Sequence, residues 1–165
     1  MVPLKLTPHE HVDIVDETPE VLVVEVTYAE PGSPPPRHLH PAQDEHFEVL
    51  SGRLTAKIAG KERMLEPGET LDVPRGTVHQ MWNAGPGPVR ARWETRPAGR
   101  TAEWFRAIDG LLRSGRVGRN GMPPLTVMAA LLREYDDVFR LAGVPTPVLG
   151  ALAPLGRKAA GSALP

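Results

Sequence analysis

The stretch GSPPPRHLHPAQDE, residues 32–45, is the most informative part of the chain because it holds three potential metal ligands. His38 and His40 are two residues apart, so on an extended strand both imidazoles point to the same face. Residues 41–44 then form a turn that reverses the chain. Glu45 begins a second extended run in which Phe47 has the same parity. We therefore expect Glu45 to face the core.

The stretch GETLDVPRGTVHQMWN, residues 68–83, is patterned in the same way. Residues 70–73 have the pattern of a strand that meets a Pro-Arg-Gly turn. The next strand carries His79, with Met81 and Asn83 on the same side. His79 is thus a fourth potential ligand on an extended segment.

Together the two segments resemble the paired motifs of the cupin superfamily. Their spacing is G-x5-H-x-H-x4-E-x6-G followed by G-x5-P-x-G-x2-H-x3-N. All ten positions are filled, at Gly32, His38, His40, Glu45, Gly52, Gly68, Pro74, Gly76, His79 and Asn83. The fifteen residues between the motifs match the short spacing of compact bacterial members.

This resemblance implies a mainly β fold, an antiparallel jelly-roll (cupin) barrel, holding one divalent metal on His38, His40, Glu45 and His79. The residue types agree, since imidazole suits Fe, Mn, Ni, Cu or Zn, and one carboxylate shifts the preference toward Fe(II), Mn(II) or Ni(II). An ion that accepts about five or six ligands would keep open positions for water, dioxygen or a substrate. The identity of the metal stays open.

Three regions follow from the patterning along the chain. Residues 1–19 are polar and punctuated by proline, and we assign them to an N-terminal arm. Residues 20–97 contain both motifs and alternate with a period of two, so we assign them to the barrel. Residues 98–165 change to a period of about 3.6, which predicts a C-terminal α-helical extension and tail.

The extension is predicted to contain two amphipathic helices within residues 100–142. Thr101 can cap the first helix, which ends at Gly115. The second helix opens at a Pro-Pro pair and runs through Phe139. The apolar stretch 144–155 is broken by prolines, and the tail beyond it is expected to fray. The apolar stripes must cover the barrel or build a dimer interface, so we expect a homodimer.

Two other histidine features have simpler interpretations. His9 and His11 form a second His-x-His pair, but they lack a carboxylate and a third histidine at matching spacing. We interpret them as part of an exposed strand or arm. His46 has the opposite parity to Glu45 and should lie on the surface.

Six further residues lie beside the ligands and are candidates for the pocket wall or for contacts behind the ligands: Arg37, Gln43, Phe47, Met81, Trp82 and Asn83. Ordinary core packing is the simpler interpretation of Phe47 and Met81. For Arg37 and Gln43 the simpler interpretation is a solvated loop, and Asn83 can brace a turn.

The composition excludes several classes of protein. Nineteen basic and twenty acidic residues give a formal net charge of −1 with no long run of one sign, so no surface for nucleic acid is expected. The absence of cysteine excludes disulfides and a thiolate metal site. No apolar stretch resembles a signal peptide or reaches the roughly 20 residues of a membrane span. We therefore expect a cytoplasmic protein that does not contact membranes.

The function predicted first is that of a metal-dependent cupin enzyme acting on a small organic molecule, an oxygenase of the dioxygenase type. Glu45 would serve as a ligand or as a transient base. Two alternatives stay open, a Lewis-acid isomerase or lyase and a non-catalytic cupin that binds or senses a small molecule. No Tyr, Lys or spare His was identified at an inward position of the motif strands, which argues against sugar-epimerase chemistry.

Overall fold

The computed structural model describes residues 2–115, 117–118 and 122–160. Strands fill the first part of the chain and helices dominate the last part. The strands are β1 (Leu4–Lys5), β2 (Glu10–Glu17), β3 (Leu22–Tyr28), β4 (His38–Leu39), β5 (Asp44–Ser51), β6 (Leu54–Ile58), β7 (Lys61–Leu65), β8 (Thr70–Val73), β9 (His79–Trp82), β10 (Val89–Arg96) and β11 (Arg140–Leu141). The helices are α1 (Thr101–Arg113), α2 (Leu125–Glu134) and α3 (Thr146–Ala160). None of these described helices is both long enough and apolar enough to cross a bilayer.

The strands form two antiparallel sheets. The first has the order β1-β2-β3-β10-β5-β8, and the second has the order β11-β4-β9-β6-β7. Alternate residues of the strands are buried and contribute to one continuous hydrophobic core, for example Val24, Val26, Phe47 and Val49. The pairing gives two sheets rather than one closed ring of strands. The prediction of an antiparallel jelly roll is confirmed in this form.

The first sheet extends into the region that we assigned to an N-terminal arm. Strand β2 pairs with β3 over its whole length, with Val12 opposite Val26. Val12 is completely buried, and Ile14 on the same face packs against the core. The alternation of Val12 and Ile14 with polar neighbours is the strand signal in this region. The jelly roll therefore begins before residue 20.

One glycine of the two motifs is required for a steric reason. Gly52 lies in the turn between β5 and β6 with φ of 76°, a conformation that side-chain-bearing residues rarely adopt. A Cβ atom at this position would lie 2.5 Å from the carbonyl oxygen of Pro88. The turn can close against the start of β10 only because the residue has no side chain.

Helix α1 packs its apolar side on the core of the jelly roll, as the 3.6-residue period predicted. Trp104, Phe105 and Leu111 are all buried in the same cluster as the strand residues. The prediction that Thr101 caps this helix is wrong. Arg100 occupies the N-cap position and makes no side-chain cap hydrogen bond, and the Thr101 hydroxyl lies inside the helix without a hydrogen-bond partner among the described residues.

The second predicted helix is shorter than expected. Helix α2 ends at Glu134, because Tyr135 leaves the helical conformation with φ of −111° and ψ of 36°. The chain then turns and forms β11, which pairs with β4. Phe139 therefore lies between this turn and β11, next to the second sheet, and not on a helix. Pairing with the free edge of β4 replaces the last turn of the predicted helix.

Helix α3 occupies the region that looked broken by prolines. Pro147 is in its first turn, where a missing N–H costs nothing, and Pro154 is inside the helix. Gly156 allows a close approach to α2, since a Cβ there would lie 1.9 Å from the carbonyl oxygen of Thr126. The tail beyond residue 155 was predicted to fray, but residues 156–160 belong to α3, and residues 161–165 lie outside the described residues.

Candidate metal centre

Three histidines come together on the second sheet. His38 in β4 lies directly opposite His79 in β9, and His40 follows β4 immediately. The ring centroids of His38 and His79 are 4.4 Å apart, and those of His40 and His79 are 5.3 Å apart. One potential ligand atom from each ring lies within 4.8 Å of the others. Residues distant in sequence thus form one cluster that could hold a metal ion.

The hydrogen bonds of the three rings determine which nitrogen is free. Nδ1 of His38 lies 2.9 Å from the carbonyl oxygen of Pro36, and Nδ1 of His79 lies 3.0 Å from that of Thr77. Nδ1 of His40 lies 2.7 Å from the carbonyl oxygen of Val138. Because a carbonyl oxygen can only accept, each Nδ1 must donate its proton. In a neutral ring the lone pair is then on Nε2, which is the form that binds a metal.

Glu45 lies against two of these imidazoles. Its Oε1 is 3.2 Å from Nε2 of His40, and its Oε2 is 3.1 Å from Nε2 of His79. The indole N–H of Trp93 donates a hydrogen bond of 3.0 Å to Oε1. Oε2 is buried and accepts no hydrogen bond. Glu45 therefore faces the core, as its parity indicated.

This arrangement fits a divalent cation. The two carboxylate oxygens of Glu45 lie within 3.2 Å of Nε2 of His40 and of His79. Two acceptor atoms at this distance repel each other unless a cation or a proton lies between them. A buried carboxylate oxygen without a hydrogen bond also calls for a partner of positive charge. The three imidazole nitrogens are placed to hold a transition metal, and the Glu45 carboxylate lies beside two of them.

The pKa values of His38, His40 and Glu45 favour the protonation states that a metal needs, whereas that of His79 does not. Burial and the neighbouring imidazoles lower the pKa of His38 to about 3. Burial also lowers the pKa of His40, although the charge of Glu45 opposes this. Burial would raise the pKa of Glu45, but the surrounding imidazoles outweigh it and lower the value. Burial opposes a charge on His79 as well, yet the adjacent Glu45 carboxylate raises its pKa. His79 is thus the imidazole that holds a proton most readily when no metal is bound.

The predicted pocket residues lie in different environments. Phe47 and Met81 are buried in the hydrophobic core, and the Phe47 ring stacks on that of Trp93 at 5.4 Å between centroids. Trp82 is buried as well. Arg37 is exposed, and only its backbone carbonyl takes part in the site region, by accepting a hydrogen bond from Ala142 N.

The two amides of the motif strands behave differently. Gln43 is only 2% exposed, and its Oε1 has no hydrogen-bond partner, so it does not lie in a solvated loop. Asn83 donates to the carbonyl oxygen of Gly87 at 2.7 Å and accepts from Gly85 N at 3.1 Å. Asn83 therefore braces the turn before β10.

The other histidines lie apart from this cluster. His46 is on the outer side of β5, with Nδ1 2.7 Å from a carboxylate oxygen of Asp72. His9 is largely exposed and lies 3.2 Å from Glu30. Within the described residues, neither His9 nor His11 joins a group of three residues that could hold a metal.

Two ionisable residues on the inner face of the first sheet were missed by the sequence analysis because they lie outside the motif strands. Tyr28 in β3 is buried, and burial, with the charges of Glu10 and Glu45, raises its pKa well above the usual value. Glu10, opposite Tyr28 in β2, has its pKa raised by burial to about 7. Their parity with Val26 and Val12 is the signal that could have indicated them.

Comparison with known proteins gives a family model and relatives that match part of the chain. Residues 24–93 match a family model described as a cupin domain. The chain is 34% identical over 67 residues to the tetracenomycin polyketide synthase protein TcmJ of Streptomyces glaucescens, covering 41% of this chain and 45% of that protein. It is 45% identical over 53 residues to an oxidoreductase of Arthrobotrys oligospora, covering 31% of this chain and 21% of that protein. The chain spans less than half the length of these curated relatives.

A solved structure supports the same fold. KdgF from a Halomonas species superposes with a TM-score of 0.54 at 22% identity, covering 61% of this chain and 91% of that one. At this level of sequence identity the similarity concerns the fold alone.

Proposed function

This chain belongs to the cupin superfamily, and we propose that it binds one divalent transition metal on His38, His40, His79 and Glu45 and acts as an oxidoreductase on a small organic molecule. The observation that carries the proposal is the convergence of three imidazoles whose Nδ1 atoms all bond to carbonyl oxygens. Their Nε2 lone pairs, beside a buried carboxylate with a free oxygen, form a site ready for a cation.

The donor set narrows the candidates for the metal. Three neutral imidazoles and one carboxylate leave a divalent ion with a net charge of +1, and such ligands suit Fe, Mn, Ni, Cu or Zn. When bound, a metal of this kind supplies either redox chemistry with dioxygen or Lewis-acid polarisation of a coordinated substrate oxygen. The lowered pKa of Glu45 makes its carboxylate a weak base, so we assign it the role of a ligand before that of a proton acceptor.

The chain's own residues would orient the ligands and exclude water. Trp93 donates to Oε1 of Glu45 and fixes one edge of the carboxylate. Phe47 and Met81 make the core next to these ligands apolar. His40, Glu45 and His79 are each at most 5% exposed, which limits the access of bulk water. These features suit an organic substrate with apolar surface and one or two oxygens.

We favour an oxygenase reaction on an enolisable or phenolic molecule. The named activity of the Arthrobotrys relative is that of an oxidoreductase, and TcmJ is a polyketide synthase protein. The first similarity supports redox chemistry, and the second relates the chain to a protein that is named for polyketide synthesis.

The burial of the ligands favours a second candidate. A site in which His40, Glu45 and His79 are almost inaccessible leaves little room for a substrate in this conformation. In a non-catalytic cupin the metal would only stabilise the jelly roll, and a small molecule would bind elsewhere or not at all. Such a protein would not need a more accessible metal site. A Lewis-acid isomerase or lyase would need the same access of substrate to the metal as an oxygenase.

Metal analysis separates these possibilities. Protein purified without a metal-affinity tag should contain about one equivalent of a transition metal by elemental analysis, and His79→Ala should contain almost none. Samples reconstituted with Fe(II), Mn(II), Cu(II) or Ni(II) should then consume oxygen with catechols, β-diketones or flavonols, with His79→Ala as the matched control. Wild-type protein that takes up no metal at all would refute the proposal. Metal uptake without any turnover would favour the non-catalytic candidate.

A further inference from the structure

We propose that Phe139 is a positioning residue of the metal centre, and that residues 138–142, here called the covering segment, form the outer wall of that centre. The covering segment belongs to the C-terminal extension and lies outside both sequence motifs. This inference rests on the proposed metal binding and adds the part of the chain that orients the ligands.

The covering segment is hydrogen-bonded to the strand that carries the ligands. In β11, Leu141 pairs with His38 and Arg140 pairs with Leu39. Ala142 N also donates to the carbonyl oxygen of Arg37 at 2.8 Å. Strand β4 thus has β9 on one side and the covering segment on the other. The backbone of the ligand strand is held from both sides only when the extension is in place.

The covering segment also holds the His40 side chain. The carbonyl oxygen of Val138 lies 2.7 Å from Nδ1 of His40, the shortest of the three contacts between an imidazole and a carbonyl. Val138 is completely buried, so no water can replace this acceptor without movement of the segment. The other two carbonyls are each only two residues from the histidine that they bind. For His40 alone, the partner comes from 98 residues away.

The Phe139 ring fixes the plane of His38. The two rings stack with centroids 4.5 Å apart and an interplanar angle of 16°. On its other side Phe139 stacks on Trp104 of α1 at 5.1 Å and 19°. The Phe139 ring also meets His40 edge-on at 5.8 Å. Phe139 is therefore clamped between a helix and the triad, and it contacts two of the three imidazoles.

Phe139 covers the side of the triad that the jelly roll leaves open. His38 is only half-buried, whereas His40 and His79 are buried. A ring that stacks on His38 limits both the rotation of this imidazole and the approach to its Nε2. Contacts behind metal ligands typically change metal affinity by about 10- to 100-fold. We expect an effect of this size from loss of the Phe139 ring.

Cobalt(II) provides a probe that reports affinity and geometry at once. Phe139→Leu keeps an apolar side chain but removes the stack, and we expect Co²⁺ to bind at least 10-fold more weakly, with altered d–d absorption bands. Phe139→Tyr keeps the ring, and its half-buried position can accept a hydroxyl. This conservative variant should restore both the affinity and the spectrum of the wild type.

Leu132→Ala is the matched control. Leu132 is buried in the extension without a ring contact to any histidine, so its truncation should lower the melting temperature and leave Co²⁺ binding unchanged. Equal loss of affinity in Leu132→Ala and Phe139→Leu would show that only the general stability of the extension matters, and would overturn the assignment. Unchanged affinity and spectrum in Phe139→Leu would overturn it too, whereas a wild type that binds no Co²⁺ would refute the proposed function itself.

A measurement on the wild type keeps the inference testable if Phe139→Leu does not fold. Addition of Co²⁺ should increase the hydrogen-exchange protection of amides in residues 138–142 more than that of the β6–β7 hairpin at the far edge of the second sheet. Equal protection of the two regions would contradict a link between the covering segment and the metal.

Discussion

The hydrogen bond from the indole N–H of Trp93 to Glu45 should contribute more to the stability of the metal-free protein than the packing of the few indole atoms that Trp93→Phe removes. In Trp93→Phe, Oε1 of the Glu45 carboxylate loses the hydrogen bond that it accepts from the indole N–H. A hydrogen bond to a charged group contributes about 1.5–3 kcal/mol, and a buried charge without its partner costs at least as much. The phenyl ring can still pack on Phe47 and Phe105, which now contact the indole.

Trp104→Phe provides the control for the lost indole atoms. Trp104 is also buried, but its N–H has no hydrogen-bond partner among the described residues. We expect Trp93→Phe to lower the free energy of unfolding by about 1.5–3 kcal/mol more than Trp104→Phe does. For a chain of this size, this difference corresponds to a melting temperature lower by roughly 3–12 °C.

The assay is urea and thermal unfolding of chelator-treated protein, followed by far-UV circular dichroism. Both variants should unfold with the slope of the wild type, so that their midpoints report stability alone. If the two variants are destabilised equally, within about 0.5 kcal/mol, the charged hydrogen bond does not stabilise the fold and the reasoning fails.

Four further predictions concern the metal centre and the extension. Chelation should lower the melting temperature of the wild type, since a ligand at a hundredfold excess over its Kd adds about 2.7 kcal/mol, and His79→Ala should no longer respond to chelator. The double variant His9→Ala with His11→Ala should keep its full metal content by elemental analysis; a loss of half would show that these residues do bind metal. Metal-free protein should lose stability as the pH falls from about 6.5 toward 3. Burial lowers the pKa of His38 to about 3, so in this window the unfolded state binds a proton that the folded state does not bind. A urea midpoint independent of pH in this window would contradict the prediction. Truncation after Pro97 should give aggregated protein by light scattering, and the full chain should be a homodimer; a soluble, folded fragment of unchanged oligomeric state would contradict the role of the extension as a cover.

The sequence predicts those features of this protein that depend on local patterns. The parity of Glu45 with Phe47 predicts that it faces the core, and both residues are buried. The alternation in β6 and β10 and the turns between strands are also local, since each depends on neighbouring residues. The direct pairing of His38 with His79 could not be predicted in this way, because the spacing of residues along the sequence does not determine which strands are neighbours in a sheet. Here the resemblance to a family supplied the topology.

The end of α2 could not be predicted from periodicity. Phe139 continues the apolar stripe of the helix, so the pattern alone favours a helix through this residue. The structure ends the helix at Glu134, because the backbone from residue 138 onward forms long-range hydrogen bonds to His40, His38 and Arg37. Tertiary contacts of this kind override a helical pattern of one further turn. The same limit explains why α3 was missed, since its contact with α2 depends on the absence of a side chain at Gly156.

The residues proposed to bind the metal and some of the residues that hold them in place come from different parts of the chain. In the proposed centre the motif residues would supply the ligand atoms, and two of the three carbonyls that hold the rings belong to Pro36 and Thr77, within two residues of His38 and His79. The third carbonyl and the stacking ring come from Val138 and Phe139. Substitutions in the extension could then change metal affinity while every motif position stays intact. On this proposal a complete motif predicts which atoms can bind a metal, whereas the strength of binding would depend on residues that the motif does not contain.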